Sequence, residues 1–364
     1  MRLRQGRIGL SSGTALAALS LFNCCMFSVD SKTTYSNGNS AYITLPAAVL
    51  FSLLVLLPAM NEKNGGSGLS GLFTSAFGKA LGIIASILVS VCFVLAAARP
   101  VTAFTEVLSR LVFDGVPYRR ILLYIMPVIV FIAWRGFESV GRLALIFSGL
   151  VLVSVIIAVA SAAPEFETYR LYPLPRIDPE TVRLSFSETA FAFPPLAALL
   201  INEEGLGGKA NERKTAAAAA FFSAAVIAIV QLALGLIYPH RILSGLLMPL
   251  YRINFSSLRQ SYALRLDKLF IMAWLTGCVV SCAYLVYSAS LLLTNSFEAR
   301  DVTPAVFTVS AAVLFFVSAE FSGEYASVES VRDFFSKYGS LFAIVPTAAA
   351  SAVMGIKGSG RIRT

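Results

Sequence analysis

Two stretches put helix-breaking or polar residues inside runs that are otherwise apolar. In LSFSETAFAFPPLAALLIN, Pro194 and Pro195 follow Phe191 and Phe193. Proline lacks an N–H and its ring crowds the carbonyl four residues back, so the pair is expected to unwind a turn near Phe191–Phe193. Near the chain's start, SLFNCCMFSVDSK places Asn23, Cys24 and Ser28 in apolar surroundings, with Asp30 closing the run. Unpaired backbone at membrane depth persists only where it is buried in protein or lines a cavity. In membrane carriers such interrupted helices hold the substrate. The chemistry available to these residues is therefore recognition of a small polar molecule through hydrogen bonds. A plain proline kink and a short first span are the competing reading, and the residues alone leave both open.

Other residues extend the candidate site. Arg99, just before Pro100, is costly at membrane depth unless it snorkels to the interface or pairs with an anion such as Glu188 or Glu320. Phe93, Trp274 and Tyr284 either line a cavity or simply pack. Catalysis finds no support: there is no phosphate-cradling Gly-Lys-Ser/Thr loop, no HExxH, and the single histidine, His240, has no nucleophile at a motif spacing. The five cysteines, Cys24, Cys25, Cys92, Cys278 and Cys282, all lie in apolar runs without zinc-ligand spacing. The expectation is a non-enzyme without metal, cofactor or disulfide framework.

The elements that must position these residues follow from composition. Of 364 residues, 57% are hydrophobic and only 13% charged, and the mean hydropathy is +0.76. A soluble domain carries about 25% charged residues to wet its surface. Apolar runs of about 20 residues match a helix crossing roughly 30 Å of hydrocarbon. Runs such as TAAAAAFFSAAVIAIVQLALGLIY show no alternation, which excludes a barrel. Ten spans are expected, near 10–29, 41–60, 80–104, 121–135, 141–162, 186–202, 215–238, 268–294, 303–320 and 339–356. They form a single transmembrane domain over 1–364. With the first and sixth spans broken, the pattern fits a five-plus-five inverted repeat, one half near 10–162 and the other near 186–356. The 163–185 connector, with Pro164, Pro173, Pro175 and Pro179, should be extended.

The net charge of +9 does not indicate nucleic acid, because the basic residues are dispersed over connectors and suit phospholipid head groups. Arg2, Arg4 and Arg7 at one end, and Lys357, Arg361 and Arg363 at the other, put both termini in the cytoplasm by the positive-inside rule. The loop at 239–267, with Arg241, Arg252, Arg259 and Arg265, then lies outside, its apolar 242–255 stretch resting in the interface. The basic start followed by an apolar run resembles a signal peptide. It lacks a small-residue cleavage pattern and reads as a retained first span.

Three segments together resemble a known family. YIMPVIVFIAWRGFESVGRLALIFSGLVLV carries Gly136, Glu138 and Arg142, and YRLYPLPRIDPETVRLSFSETAFAF leads into the sixth span. LMPLYRINFSSLRQSYALRLDKLFIMAW carries Pro249, Arg252, Arg265, Asp267 and Trp274. In this order they resemble the spore germination permeases, the B subunits of germinant receptors, within the amino acid–polyamine–organocation superfamily. That resemblance implies the five-plus-five inverted repeat. It also implies a small germinant, an amino acid, bound among the first, third, sixth and eighth spans. The implied partners are receptor A and C subunits, and the implied location is the spore inner membrane. An ion-coupled amino acid transporter is the alternative. The binding residues expected are Asn23, Cys24, Ser28, Phe93, Arg99, Phe191, Phe193, Pro194 and Trp274.

Overall fold

The computed structural model describes residues 6–28, 40–61, 68–113, 115–172, 179–239, 266–321 and 325–360. Eleven α-helices account for nearly all of it: α1 (Leu10–Ser28), α2 (Ala41–Asn61), α3 (Gly68–Phe77), α4 (Lys79–Val107), α5 (Tyr118–Trp134), α6 (Phe137–Ala162), α7 (Pro179–Ile201), α8 (Lys209–Ile237), α9 (Leu266–Ser296), α10 (Thr303–Phe321) and α11 (Tyr325–Gly360). Ten of these coincide with the expected spans, and α3 is a short extra helix packed on α4. The helices at Ala41–Asn61, Lys79–Arg110, Phe137–Glu165, Lys209–Ile237 and Phe270–Ser296 are each long and apolar enough to cross a membrane. The chain is an all-α integral membrane protein.

Burial separates the helices into an inner and an outer set. The apolar window of α9 is 83% buried, whereas that of α6 is only 22% buried. A helix that is apolar all round must face protein or lipid on every side, so α9 is the central post and α6 meets the bilayer. α9 packs chiefly on α4 and α6, and α1 packs on α8, α6 and α7. Gly136 and Gly208 open α6 and α8 with φ of 91° and 113°, where a side chain would be strained. Beside Gly136, Glu138 pairs with Arg142 one turn on along α6, at the surface. α8 begins with a charged turn, Lys209–Lys214, before its apolar stretch from Thr215.

Several expectations are corrected. The first and sixth spans are not interrupted: α1 is helical over Leu10–Ser28, and α7 runs through Pro194–Pro195. Proline's own φ suits a helix, and every residue from Glu188 to Asn202 is buried, so tertiary packing holds the turn that two missing amides weaken. Asn23 finds partners on another helix and does not compete with its own backbone. The 163–185 connector is not extended where described. It forms 3-10 turns at Ala163–Glu165 and Thr168–Leu171, and α7 already starts at Pro179, where proline is tolerated in a first turn. α11 reaches back to Tyr325, well before the expected 339. Most of the 239–267 loop, including His240, Pro249, Arg252 and Arg265, lies outside the described residues.

Candidate binding centre

The middle of the molecule is organised by one face of α9. Trp274, Gly277, Ser281, Tyr284 and Ser288 recur at spacings of three and four, which stacks them on one side of a helix. Gly277 lets α1 approach closely; a Cβ there would stand 3.2 Å from Leu19 and 3.4 Å from Asn23 Nδ2. Asn23 of α1 therefore meets α9 directly. Its Nδ2 donates to Ser281 Oγ at 2.8 Å, and its Oδ1 accepts from Trp274 Nε1 at 2.8 Å. Ser281 passes its own proton to Gly277 O at 2.8 Å. The indole packs edge-on to Phe270, with centroids 5.2 Å apart, and lies against Phe22 at 6.2 Å. Asn23 is 0% exposed, and both sides of its amide are used.

The second feature is Pro100 inside α4. Pro100 has no N–H to give Ala96 O, so that carbonyl needs another donor. Cys24 Sγ of α1 supplies one at 3.9 Å, and Cys282 Sγ of α9 reaches the next carbonyl, Ala97 O, at 3.3 Å. Phe93, Ala96, Ala97 and Pro100 share the face of α4 turned to these thiols, and Phe93 is fully buried. Arg99 is half-buried and falls on the stripe of Cys92, whose thiol reaches Gly339 O of α11 at 3.9 Å. The carbonyls one turn before Pro100 thus tie α1, α4 and α9 together.

α7 completes the centre. Phe191, Phe193, Pro194 and Pro195 are all buried, and Tyr284 Oη of α9 donates to Pro195 O at 3.3 Å. One turn further along both helices, Asn202 Nδ2 donates to Ser288 Oγ at 2.9 Å. Of the residues expected from sequence, Asn23 and Trp274 are brought into contact, and Cys24 meets α4 at Ala96. Phe193 and Pro194 lie on the buried part of α7, and Arg99 is half-buried on the Cys92 side of α4. The Ser28 side chain lies outside the described residues. Sequence reasoning missed Ser281, Cys282, Ser288 and Asn202. For Ser281, Cys282 and Ser288 the signal was the heptad-like run of small polar residues inside SCAYLVYSAS, which marks a buried polar stripe.

Among the described residues, one groove borders this centre through Leu19 and Phe22, and a second lies away from it. The first, about 430 Å³, is bounded by α1, α6 and α8, and the second, about 620 Å³, by α5 and α10. Both are lined almost entirely by apolar side chains.

Comparison with known proteins gives this arrangement its context. The spore germination protein family matches residues 31–324, most of the chain. This is a spore germination permease-family protein. No curated protein sequence matches it significantly, but solved transporters share its fold. The structure of MhsT in complex with L-phenylalanine superposes with a TM-score of 0.66 at 14% identity, covering 96% of this chain and 89% of that one. A Na+-coupled sialic acid symporter, in a substrate-bound outward-open state, gives 0.65 at 11% identity over 92% and 78%. The Eremococcus coleocola manganese transporter gives 0.62 at 15% identity over 93% and 78%. The germination-family chain therefore has the fold of these carriers, the five-plus-five inverted-repeat class expected from its sequence.

Proposed function

We propose that this chain is the permease-like, nutrient-sensing subunit of a spore germinant receptor, and that its ligand is a small germinant of the amino acid class. The family match over residues 31–324 carries this reading. Support comes from the centre, where α1 and α9 bring together a buried amide, an indole N–H, a hydroxyl and two thiols, the thiols against carbonyls of α4. The proposed ligand residues are Asn23, Cys24, Ser28, Phe93, Phe191, Phe193, Pro194 and Trp274, with Arg99 at the margin.

Asn23 and Trp274 are bonded to each other in this conformation, so a ligand takes their polar atoms only when α1 and α9 part. Such a ligand favours the parted state by its difference in affinity for the two states. Apparent affinity falls in proportion to how rarely that state is populated. That is the behaviour wanted of a sensor, whose output is a change of conformation passed to A and C partner subunits. On this reading the chain is no enzyme, and it lies in the spore inner membrane with both termini cytoplasmic. Deleting the gene and germinating spores on single nutrients tests it: loss of response to at least one nutrient is expected, and normal germination on all of them refutes the proposal.

The fold shared with a Na+-coupled symporter favours one second reading, an ion-coupled amino acid transporter. Uptake of labelled amino acids by the reconstituted protein separates the two. Binding without turnover belongs to a sensor, and concentrative uptake to a transporter.

A further inference from the structure

Away from the centre, the turn between α7 and α8 covers a carboxyl group that the binding reading does not use. Glu212 stands in the first turn of α8, is 1% exposed, and has no hydrogen-bond partner on its Oε1. Asn202, at the end of α7, is 0% exposed and spends its Nδ2 on Ala198 O and Ser288 Oγ, leaving its Oδ1 unpartnered too. Thr215, one turn along α8 from Glu212, is buried with an unpartnered hydroxyl. An ionised carboxylate without a donor is among the costliest groups to bury, and a bound proton removes that cost.

The cover over this group is formed by contacts distant in sequence. Ile8 N donates to Gly205 O at 2.9 Å, so the segment before α1 lies along the Asn202–Gly208 turn. Gly13 then packs so tightly that a Cβ would stand 2.7 Å from Leu206 and 3.2 Å from Thr215. The charged and titratable groups within electrostatic reach of Glu212 are Glu203 of the turn, Lys209 and Arg213 of its own helix, and Tyr284 of α9. α1 and α2 also pack on α8. Of the titratable groups on α1, Cys24 and Cys25 lie further along α8, since Gly13 meets Thr215 while Ala18 meets Ser223 and Met26 meets Gln231. The described titratable group of α2 is Tyr42. Arg7, ahead of α1, is exposed.

We propose that Glu212, with the Asn202 and Thr215 oxygens beside the α7–α8 turn, is a proton-binding site. It is occupied while the segment Ile8–Gly13 closes over the turn, and it empties when that cover lifts. The ligand is a proton, so the carboxyl donates to a neighbouring acceptor in the closed form and becomes a hydrated carboxylate in the open one. No other group is oxidised, reduced or transferred. The site is independent of what the chain senses, and it links the closed conformation to the pH on its side of the membrane.

The test is thermal unfolding of the purified full chain between about pH 6 and pH 9, in sodium and in choline salts. The closed form binds the proton more tightly than the unfolded chain, so stability is lost as pH rises. A wild-type midpoint that falls by a few degrees is expected, with Glu212→Gln holding the low-pH midpoint throughout. Equal slopes in both proteins, or a flat wild type, would overturn the proposal. So would a Glu212-dependent stabilisation by sodium at high pH, which would make the ligand a metal cation. Infrared difference spectra of wild type alone provide a second readout if the variant does not fold. A protonated-carboxyl C=O band, sensitive to D2O and lost as pH rises, is expected, and its absence at every pH refutes the site.

Discussion

Two buried polar clusters share the α9 face and differ in how completely they are satisfied. Within the Asn23–Trp274–Ser281 network, each side-chain polar atom has a partner: the amide nitrogen on Ser281, the amide oxygen on Trp274, and the serine on Gly277. Around Glu212, the carboxyl Oε1, the Asn202 Oδ1 and the Thr215 hydroxyl have none. A satisfied buried network fixes one arrangement, whereas an unsatisfied one waits for a ligand or a proton. On the proposed reading the centre is a latch that a nutrient must open, and the α7–α8 end a place whose occupancy changes with conformation. Both act through α9, the most enclosed of the long spans, which is how events at one could reach the other.

This contrast can be broken by substitution. The largest effect is expected for Phe193→Ala, since a fully buried aromatic leaves a cavity costing about 3–5 kcal/mol. Its unfolding midpoint in detergent should fall steeply and the nutrient response should vanish; an intact response would show that the pocket is elsewhere. Asn23→Ala should cost about 1–3 kcal/mol, because interhelical hydrogen bonds in membrane proteins are each worth roughly 0.6 and at most about 1.7. A double-mutant cycle with Trp274→Phe isolates the shared bond. A coupling near zero would mean that the two side chains act independently and the latch is not one unit.

Much of this architecture was legible in the sequence, for reasons particular residues show. Ten spans could be read because long apolar runs have few other fates. Asn23 and Trp274 stood out as polar-capable side chains within those runs. The unwinding predicted at Pro194–Pro195 was misread because local backbone rules carry no information on the packing that surrounds α7. Glu212 was passed over because it sits among Lys209, Arg213 and Lys214, which reads as a solvated turn. Its burial is tertiary: Ile8 and Gly13, more than 190 residues away in sequence, pack on the neighbouring Gly205, Leu206 and Thr215.

The smallest effect is expected at the surface. Lys79, 2.8 Å from Glu298, holds that carboxyl below its ordinary value. A carboxyl depressed in this way stabilises the fold above its unfolded-state value, and the contribution is lost as pH falls through the folded one. Both side chains are about 70% exposed, so solvent screens the pair. Lys79→Ala should leave the unfolding midpoint unchanged at neutral pH and on acidification. A clear drop would mean that surface pairing at the α4 entrance matters more than the buried seams.

The central claim is that the Asn23–Trp274–Ser281 centre receives a small nutrient. The most direct measurement is a thermal-shift screen of the purified chain against single amino acids, since a ligand that binds the folded form raises its midpoint by mass action. At least one amino acid should stabilise the wild-type protein, and Trp274→Phe should weaken that stabilisation while remaining folded. A screen in which no amino acid shifts the wild type, or in which Trp274→Phe responds identically, would contradict the account.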